Sequence, residues 1–410
     1  MRDQVILVDV DILTDLADKL PSNHGRLSLV QELIRAYALH KYCQIIDVVA
    51  PVDTRVLTQY HDADFINHIF APRLDIDKQD EHYNLLSKRL DSIFPFDKEC
   101  LIPQDQTEEE SLSLDEYYGL THDCYVFPFM RHYVALTAAS TIELATHIAR
   151  MVVNSRDSDD LHIRPIGINW YGGRHHCHRA KCSGFCYIND VVLGINALRK
   201  LTSATVFYLD LDLHHGDGIS QAFQYSKKVT TCSIHRFDVG FFPGTGDVGA
   251  SVNGDYNISM KRGLNDESLR WIVENIVQPL IQKHQPQYLF IQCGCDGLST
   301  DPHKEWNLTI CGYARVIKLL LDAIRIPVIL LGGGGYNFTE AAKFWTYLTA
   351  LVTEIPISDT LDDIPEHKCL DNYENDGYRF WTDRNTQRGK MNDENDPRYL
   401  ESIRDYLLNL

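Results

Sequence analysis

A chain of 410 residues with 44% hydrophobic and 23% charged residues can bury a large α/β core, and its composition excludes fibrous and disordered classes. The formal net charge of −18 and pI near 5.4 argue against a protein that holds nucleic acid by neutralising phosphates, and suit either solubility or a Lys/Arg-rich partner. Eleven cysteines, an odd number with no C-x-x-C pair, give a reduced, intracellular pattern and no disulfide framework.

In chain order, the opening MRDQVILVDVD is interrupted by acids too soon for a signal segment, and no run approaches the ~20 apolar residues of a membrane span. A nuclear or cytoplasmic location, or both, is expected. Residues 74–120 are acidic and weakly periodic, which predicts a long surface excursion with one short helix over 83–90. After a polar loop at 154–160, strands and helices alternate. Short apolar runs at 164–170, 204–213, 229–235, 288–293 and 326–331 predict buried strands. Apolar residues at i, i+3, i+4 and i+7 predict helices over 190–201, 266–284 behind an Asn265 cap, and 313–324. A polar tail runs from about 359 to 396, and Pro397 opens a last helix through Leu408. No segment reads as an interdomain linker, so residues 1–410 are expected to form one domain. The alternation implies a mostly parallel sheet covered on both faces, with ligands beyond the carboxyl ends of its strands.

Four of those strands end in chemistry. The first runs into Gly172-Gly173-Arg174-His175-His176, where adjacent histidines offer one proton acceptor and one charged neighbour. The second gives Asp210, Asp212 and His214 at alternate positions, hence on one face of the strand, and then Asp217. Carboxylates in such a place need a compensating charge, and two acids plus an imidazole suit zinc or iron. The fourth ends in Cys293-Gly-Cys-Asp296-Gly, a third metal ligand in waiting, although an Asp before Gly is more often a turn residue. The fifth ends in Gly332-Gly-Gly334-Gly-Tyr336, without the Lys-Ser/Thr of a phosphate loop. Its phenol suits a developing oxyanion. Metal, histidine pair and oxyanion donor together indicate metal-assisted hydrolysis of an amide or related bond.

GGRHH, SGFCYIND (183–190), DLDLHHGDG (210–218), GFFPGTGD (240–247), CDG and GGGGY occur in the order found in the zinc-dependent histone deacetylases. From Arg26 to about Leu351 the chain resembles that family, most closely its class I type and, within it, the fungal Hos-type branch. The resemblance implies an arginase/deacetylase α/β fold with a mostly parallel eight-stranded sheet and helices on both faces. It implies a catalytic metal, zinc or iron(II), on Asp212, His214 and Asp296. His176 becomes the general base and then acid, oriented by Asp217; His175, paired with Asp210, is its electrostatic neighbour; Tyr336 shares the oxyanion with the metal. Gly184, Phe185, Phe242 and Gly334 match residues around the acetyl-lysine channel, Asp123 the rim acid that accepts substrate N–H groups, and Arg26 an arginine behind the metal. Structural potassium is implied near Asp210, Asp212, His214 and Ser233, and a second ion near Phe223, Ser226 and Val229. Arg174 and His303 depart from the family's usual apolar or aromatic residues and bear on substrate choice.

The implied substrates are acetylated lysines of histone tails, with cohesin subunits among those of the related branch, and a corepressor complex is an expected partner; neither nucleic acid nor membrane is. Two other readings compete: a hydrolase of small acylated amines such as acetylpolyamines, and an inactive acetyl-lysine-binding scaffold. Arginase-type chemistry with two manganese ions needs more bridging acids than stand around Asp212 and Asp296. Intact His176 and Tyr336 speak against the scaffold.

Overall fold

The computed structural model describes residues 2–47, 50–94, 108–155, 163–357 and 363–410. Eight strands form one all-parallel sheet: β1 (Arg2–Val8), β2 (Gln44–Ile46), β3 (Ile163–Asn169), β4 (Val206–Asp210), β5 (Val229–Arg236), β6 (Asp255–Met260), β7 (Tyr288–Gln292) and β8 (Val328–Leu331), in the order β2-β1-β3-β8-β7-β4-β5-β6. Parallel strands need crossover connections, and the helices that supply them cover both faces, leaving the central strands buried throughout. The fold expected from the resemblance is the one observed. The sheet also contains β1, β2 and β6, which the apolar runs did not reveal. β2 has only three residues, and β6 (DYNISM) carries polar residues at alternate positions although all six are buried.

The four strands that end in chemistry, β3, β8, β7 and β4, are consecutive in the sheet. Their carboxyl ends therefore open side by side. Helix Phe338–Thr353 braces these exits from behind. Its Trp345 stacks on Trp170 at 5.6 Å and donates from its indole N–H to the Cys293 carbonyl at 2.8 Å. Stacked aromatic pairs of this kind add roughly 1 kcal/mol beyond their buried area.

Some sequence expectations change. The strand expected over 204–213 stops at Asp210, so Asp212 and His214 do not lie on a strand face. Carboxylates take the backbone away from the ladder: Asp212 N donates to Asp210 Oδ1 at 3.1 Å, Leu213 N to Asp296 Oδ1 at 2.9 Å, and His214 N to Asp212 Oδ1 at 3.1 Å. The helix expected over 266–284 is continuous but opens into a π-helical turn at Val273–Val277, just before Pro279. A proline lacks the N–H that the α ladder needs and crowds the preceding turn, and the wider turn accommodates it.

The acidic stretch carries three helices where one is expected. Helices Leu74–Asp77, Tyr83–Asp91 and Glu108–Tyr117 occupy it, while 95–107 lie outside the described residues. Asp115 is buried against Arg73 at 2.5 Å and His68 at 2.7 Å. Much of the polar tail is likewise docked. Asp376, paired with the fully buried Lys343 at 2.5 Å, ties it to the bracing helix. Residues 156–162, which include most of the expected loop, and 358–362, at the start of the tail, are outside the described residues. Among the described residues no helix is long and apolar enough to cross a membrane.

Candidate active site

The turn after β4 and the turn after β7 bring Asp212, His214 and Asp296 together, with one ligand atom from each lying within 4.8 Å of the others. Both carboxylates are 1% exposed. His214 Nδ1 faces Asp296 Oδ2 at 2.9 Å and Asp212 Oδ1 at 3.5 Å, so a nitrogen and two oxygens converge on one point. Burial opposes a charge on His214, but its bonds to Asp212 and Asp296 push it up to about 10 in the protein alone. Burial and the Asp212 charge push Asp296 up to about 6. A buried set of acceptors with this appetite for positive charge fits a divalent cation, and its mixed N/O donors suit zinc or iron(II).

The glycines around this set keep backbone against carboxylate. Gly334 N donates to Asp212 Oδ2 at 2.7 Å, and a side chain at Gly334 would collide with the Asp296 carboxylate. Asp210 is not one of the three converging residues. Its Oδ2 accepts from the Tyr208 hydroxyl at 2.6 Å and holds His175 Nδ1 at 2.8 Å. His176 Nδ1 meets Asp217 Oδ1 at 2.7 Å, and the two histidine rings lie 3.9 Å apart. The pair divides electrostatically. Burial alone would keep His175 neutral, but Asp210 and Asp212 push it up to about 9, whereas burial and the neighbouring His175 charge push His176 down to about 4. At neutral pH one ring is cationic and the other is a free base.

The residues expected to wall a channel come from loops. Phe242 is 40% exposed and its ring meets His176 edge-on at 4.9 Å; the Phe185 ring stands 5.7 Å from that of Tyr336. Gly184, at φ 53°, passes so close to His176 that a Cβ would strike its ring. Asp123 Oδ2 accepts from Gly184 N at 2.7 Å, which ties the expected rim acid to the SGF segment. Arg26 donates to the Gly335 carbonyl at 2.8 Å and lies 4.9 Å from the centre of the Trp345 ring. Arg174 is buried, donating to the Tyr171 carbonyl at 2.9 Å. His303 is placed differently: its side chain is 34% exposed, with its ring 4.9 Å from Tyr336 and 5.2 Å from His214. Ser233 pairs in register with Asp210. Phe223, Ser226 and Val229 share one turn, in which Ser226 N donates to the Phe223 carbonyl at 2.7 Å and Val229 N to Ser226 Oγ at 3.1 Å.

Two groups were missed from sequence. Asp301, 2% exposed, accepts from Tyr336 N at 2.8 Å and from His303 N and Nδ1, each at 2.9 Å. It sits in a loop without periodicity, and nothing local marks it. His178, two residues after the histidine pair, reaches the free oxygen of Asp217. The run HHCHR was its only signal.

An all-parallel α/β sheet of arginase/deacetylase type, with a buried Asp-His-Asp set and a histidine pair at its carboxyl edge, defines a metal-dependent hydrolase. The sequence model for "Histone deacetylase domain" matches residues 20–352. "Histone deacetylase HOS1" of Saccharomyces cerevisiae is 39% identical over 318 residues, which are 71% of this chain and 65% of that protein. "Histone deacetylase 8" of Xenopus tropicalis is 32% identical over 370 residues, 89% of this chain and 86% of that protein. "Histone deacetylase B" of Dictyostelium discoideum is 30% identical over 389 residues, 94% and 80% of the two chains. The chain belongs to the histone deacetylase family.

Proposed function

We propose that the protein removes the acetyl group from Nε-acetyl-lysine in other proteins, histone tails among them, releasing lysine and acetate. The observation that carries this reading is the convergence of Asp212, His214 and Asp296 beside a neutral His176, with the Phe242 ring set against His176 and the Phe185 ring against Tyr336. Zinc or iron(II) held by those three residues would supply a Lewis acid that polarises the amide carbonyl and makes water easier to deprotonate. His176 takes the proton from the attacking water at Nε2, because Nδ1 is engaged by Asp217, and then gives it to the departing lysine nitrogen. His175, held cationic by Asp210, stabilises the negative charge that develops. Burial holds the Tyr336 phenol well above its ordinary range, so it remains an O–H donor to the oxyanion.

The aromatic walls favour the neutral, apolar stem of an acetylated lysine. Asp123 at the rim accepts backbone N–H groups of the substrate, and the net charge of −18 favours Lys/Arg-rich tails. Acetylated cohesin subunits are further substrates in this reading. Potassium would be held near Asp210 and Ser233, and in the turn of Phe223, Ser226 and Val229. The catalytic unit spans the whole chain, works in the nucleus, the cytoplasm or both, and has a corepressor complex as its partner.

The reading is tested with His176→Ala and Tyr336→Phe in purified, metal-loaded protein. Turnover of an acetyl-lysine peptide should fall by roughly 10²-fold or more in each, with thermal unfolding unchanged. Wild-type turnover in the double variant contradicts the mechanism. Acetylpolyamines assayed alongside separate protein from small-amine substrates.

A further inference from the structure

Asp217 is shared by two imidazoles. Its Oδ1 meets His176 Nδ1 at 2.7 Å, and its Oδ2 meets His178 Nε2 at 3.1 Å. His178 is itself held on both sides: its Nδ1 lies 2.6 Å from Gln221 Oε1, and its backbone N–H donates to the Lys181 carbonyl at 2.9 Å. Asp217 and Gln221 stand four residues apart on helix Asp217–Phe223, so one helical face presents a carboxylate and an amide to the two ends of one ring. The His178 side chain is 28% exposed, against 5% for His176.

A carboxylate held at one oxygen is poorly oriented, because the terminal torsion of Asp is broad and soft. Asp217, with its side chain 11% exposed, also needs a partner for its second oxygen. A donor on Oδ2 meets both needs. It fixes the carboxylate plane, and the plane fixes the ring that binds Oδ1. The direction of His176 Nε2 is therefore set from two residues further along the same loop.

We propose that His178 is a positioning residue for the reaction, which aims His176 through the second oxygen of Asp217. It touches neither substrate nor metal set. The inference rests on the reading of His176 as the general base, and a His176→Ala control separates the two ideas.

The test measures kcat and KM for an acetyl-lysine peptide with the full-length, metal-loaded chain as wild type, His178→Ala, His178→Gln, Gln221→Ala and His176→Ala, with thermal unfolding and metal content recorded for each. In His178→Ala, kcat should fall roughly tenfold, the scale on which residues orienting an active-site ligand act, with KM unchanged. His178→Gln places an amide N–H where the imidazole Nε2–H stood, and should recover most of kcat. Gln221→Ala should lower kcat in the same direction by less. Wild-type kcat in His178→Ala overturns the proposal, as does a loss carried by KM or a His178→Gln variant as slow as His178→Ala. If His178→Ala does not fold, Gln221→Ala decides: a kcat loss at constant KM supports the proposal, and wild-type kcat overturns it. Full activity in His176→Ala removes the base reading and this inference together, whereas an inactive His176→Ala beside a fully active His178→Ala removes this inference alone.

Discussion

His61 shows how far single side chains in this protein are committed to one protonation state. Its Nε2 accepts from Asn189 N at 3.1 Å and its Nδ1 donates to the Arg179 carbonyl at 3.1 Å, an arrangement that only the neutral ring satisfies. Burial pushes it down to about 4 from the ordinary 6.5. Between those values the unfolded chain binds the proton and the folded chain does not, so stability rises with pH across the window and is lost as pH falls from 6.5 towards 4. The share of His61 at pH 4 is on the order of 3 kcal/mol. Thermal unfolding followed from pH 7 to pH 4 should show this loss, and His61→Gln, which keeps an acceptor for Asn189 N, should flatten it. An unchanged slope in the variant contradicts the assignment. Gly294 carries a second residue-scale expectation. A Cβ there would lie 2.5 Å from Asp212 Cγ, so Gly294→Ala should weaken metal binding roughly tenfold or more in a competition titration with a chelator.

Among the elements, strand exits were more legible than strand boundaries. The runs ending in GGRHH, DLDLHH, CGCDG and GGGGY marked β3, β4, β7 and β8, because apolar residues in a buried parallel strand contrast sharply with the polar turn that follows. The end of β4 is not legible in the sequence, because period-2 alternation of Asp210, Asp212 and His214 looks the same whether backbone amides pair with a neighbouring strand or with carboxylates. β2 is too short to show a period, and the alternation in β6, Tyr256, Ile258 and Met260 between polar residues, is not the continuous apolar run that marked the buried strands. Asp301 and His178 act through bonds to residues distant in sequence or across a turn, which no local pattern encodes. The bracing helix Phe338–Thr353 offers a test at this scale. Lys343, with no exposure, stands between Glu340 at 3.0 Å and Asp376 at 2.5 Å. Lys343→Met leaves the buried Glu340 without its cation and Asp376 with only the exposed Arg384, and should destabilise the fold by about 3–5 kcal/mol. Denaturant unfolding reads this directly, and a stability equal to wild type would show that the ion pairs do not hold the segment to the helix.

For the whole molecule, the sheet order explains why one chain can gather a metal set, a base, a charged neighbour and an oxyanion donor. β3, β8, β7 and β4 are neighbours, so residues more than a hundred positions apart meet, as Gly334 N does Asp212 Oδ2 at 2.7 Å. Helices on both faces and the docked C-terminal segment keep those exits fixed, which is what preorganised electrostatics require. In the proposed function this site hydrolyses acetyl-lysine with a metal held by Asp212, His214 and Asp296. The most direct test is acetate release from an acetylated histone-tail peptide by the purified chain, before chelation, after chelation, and after zinc or iron(II) is restored. Turnover that vanishes with the chelator and returns with the metal is the expected result; a folded, metal-loaded chain that releases no acetate, or releases it regardless of the chelator, contradicts it.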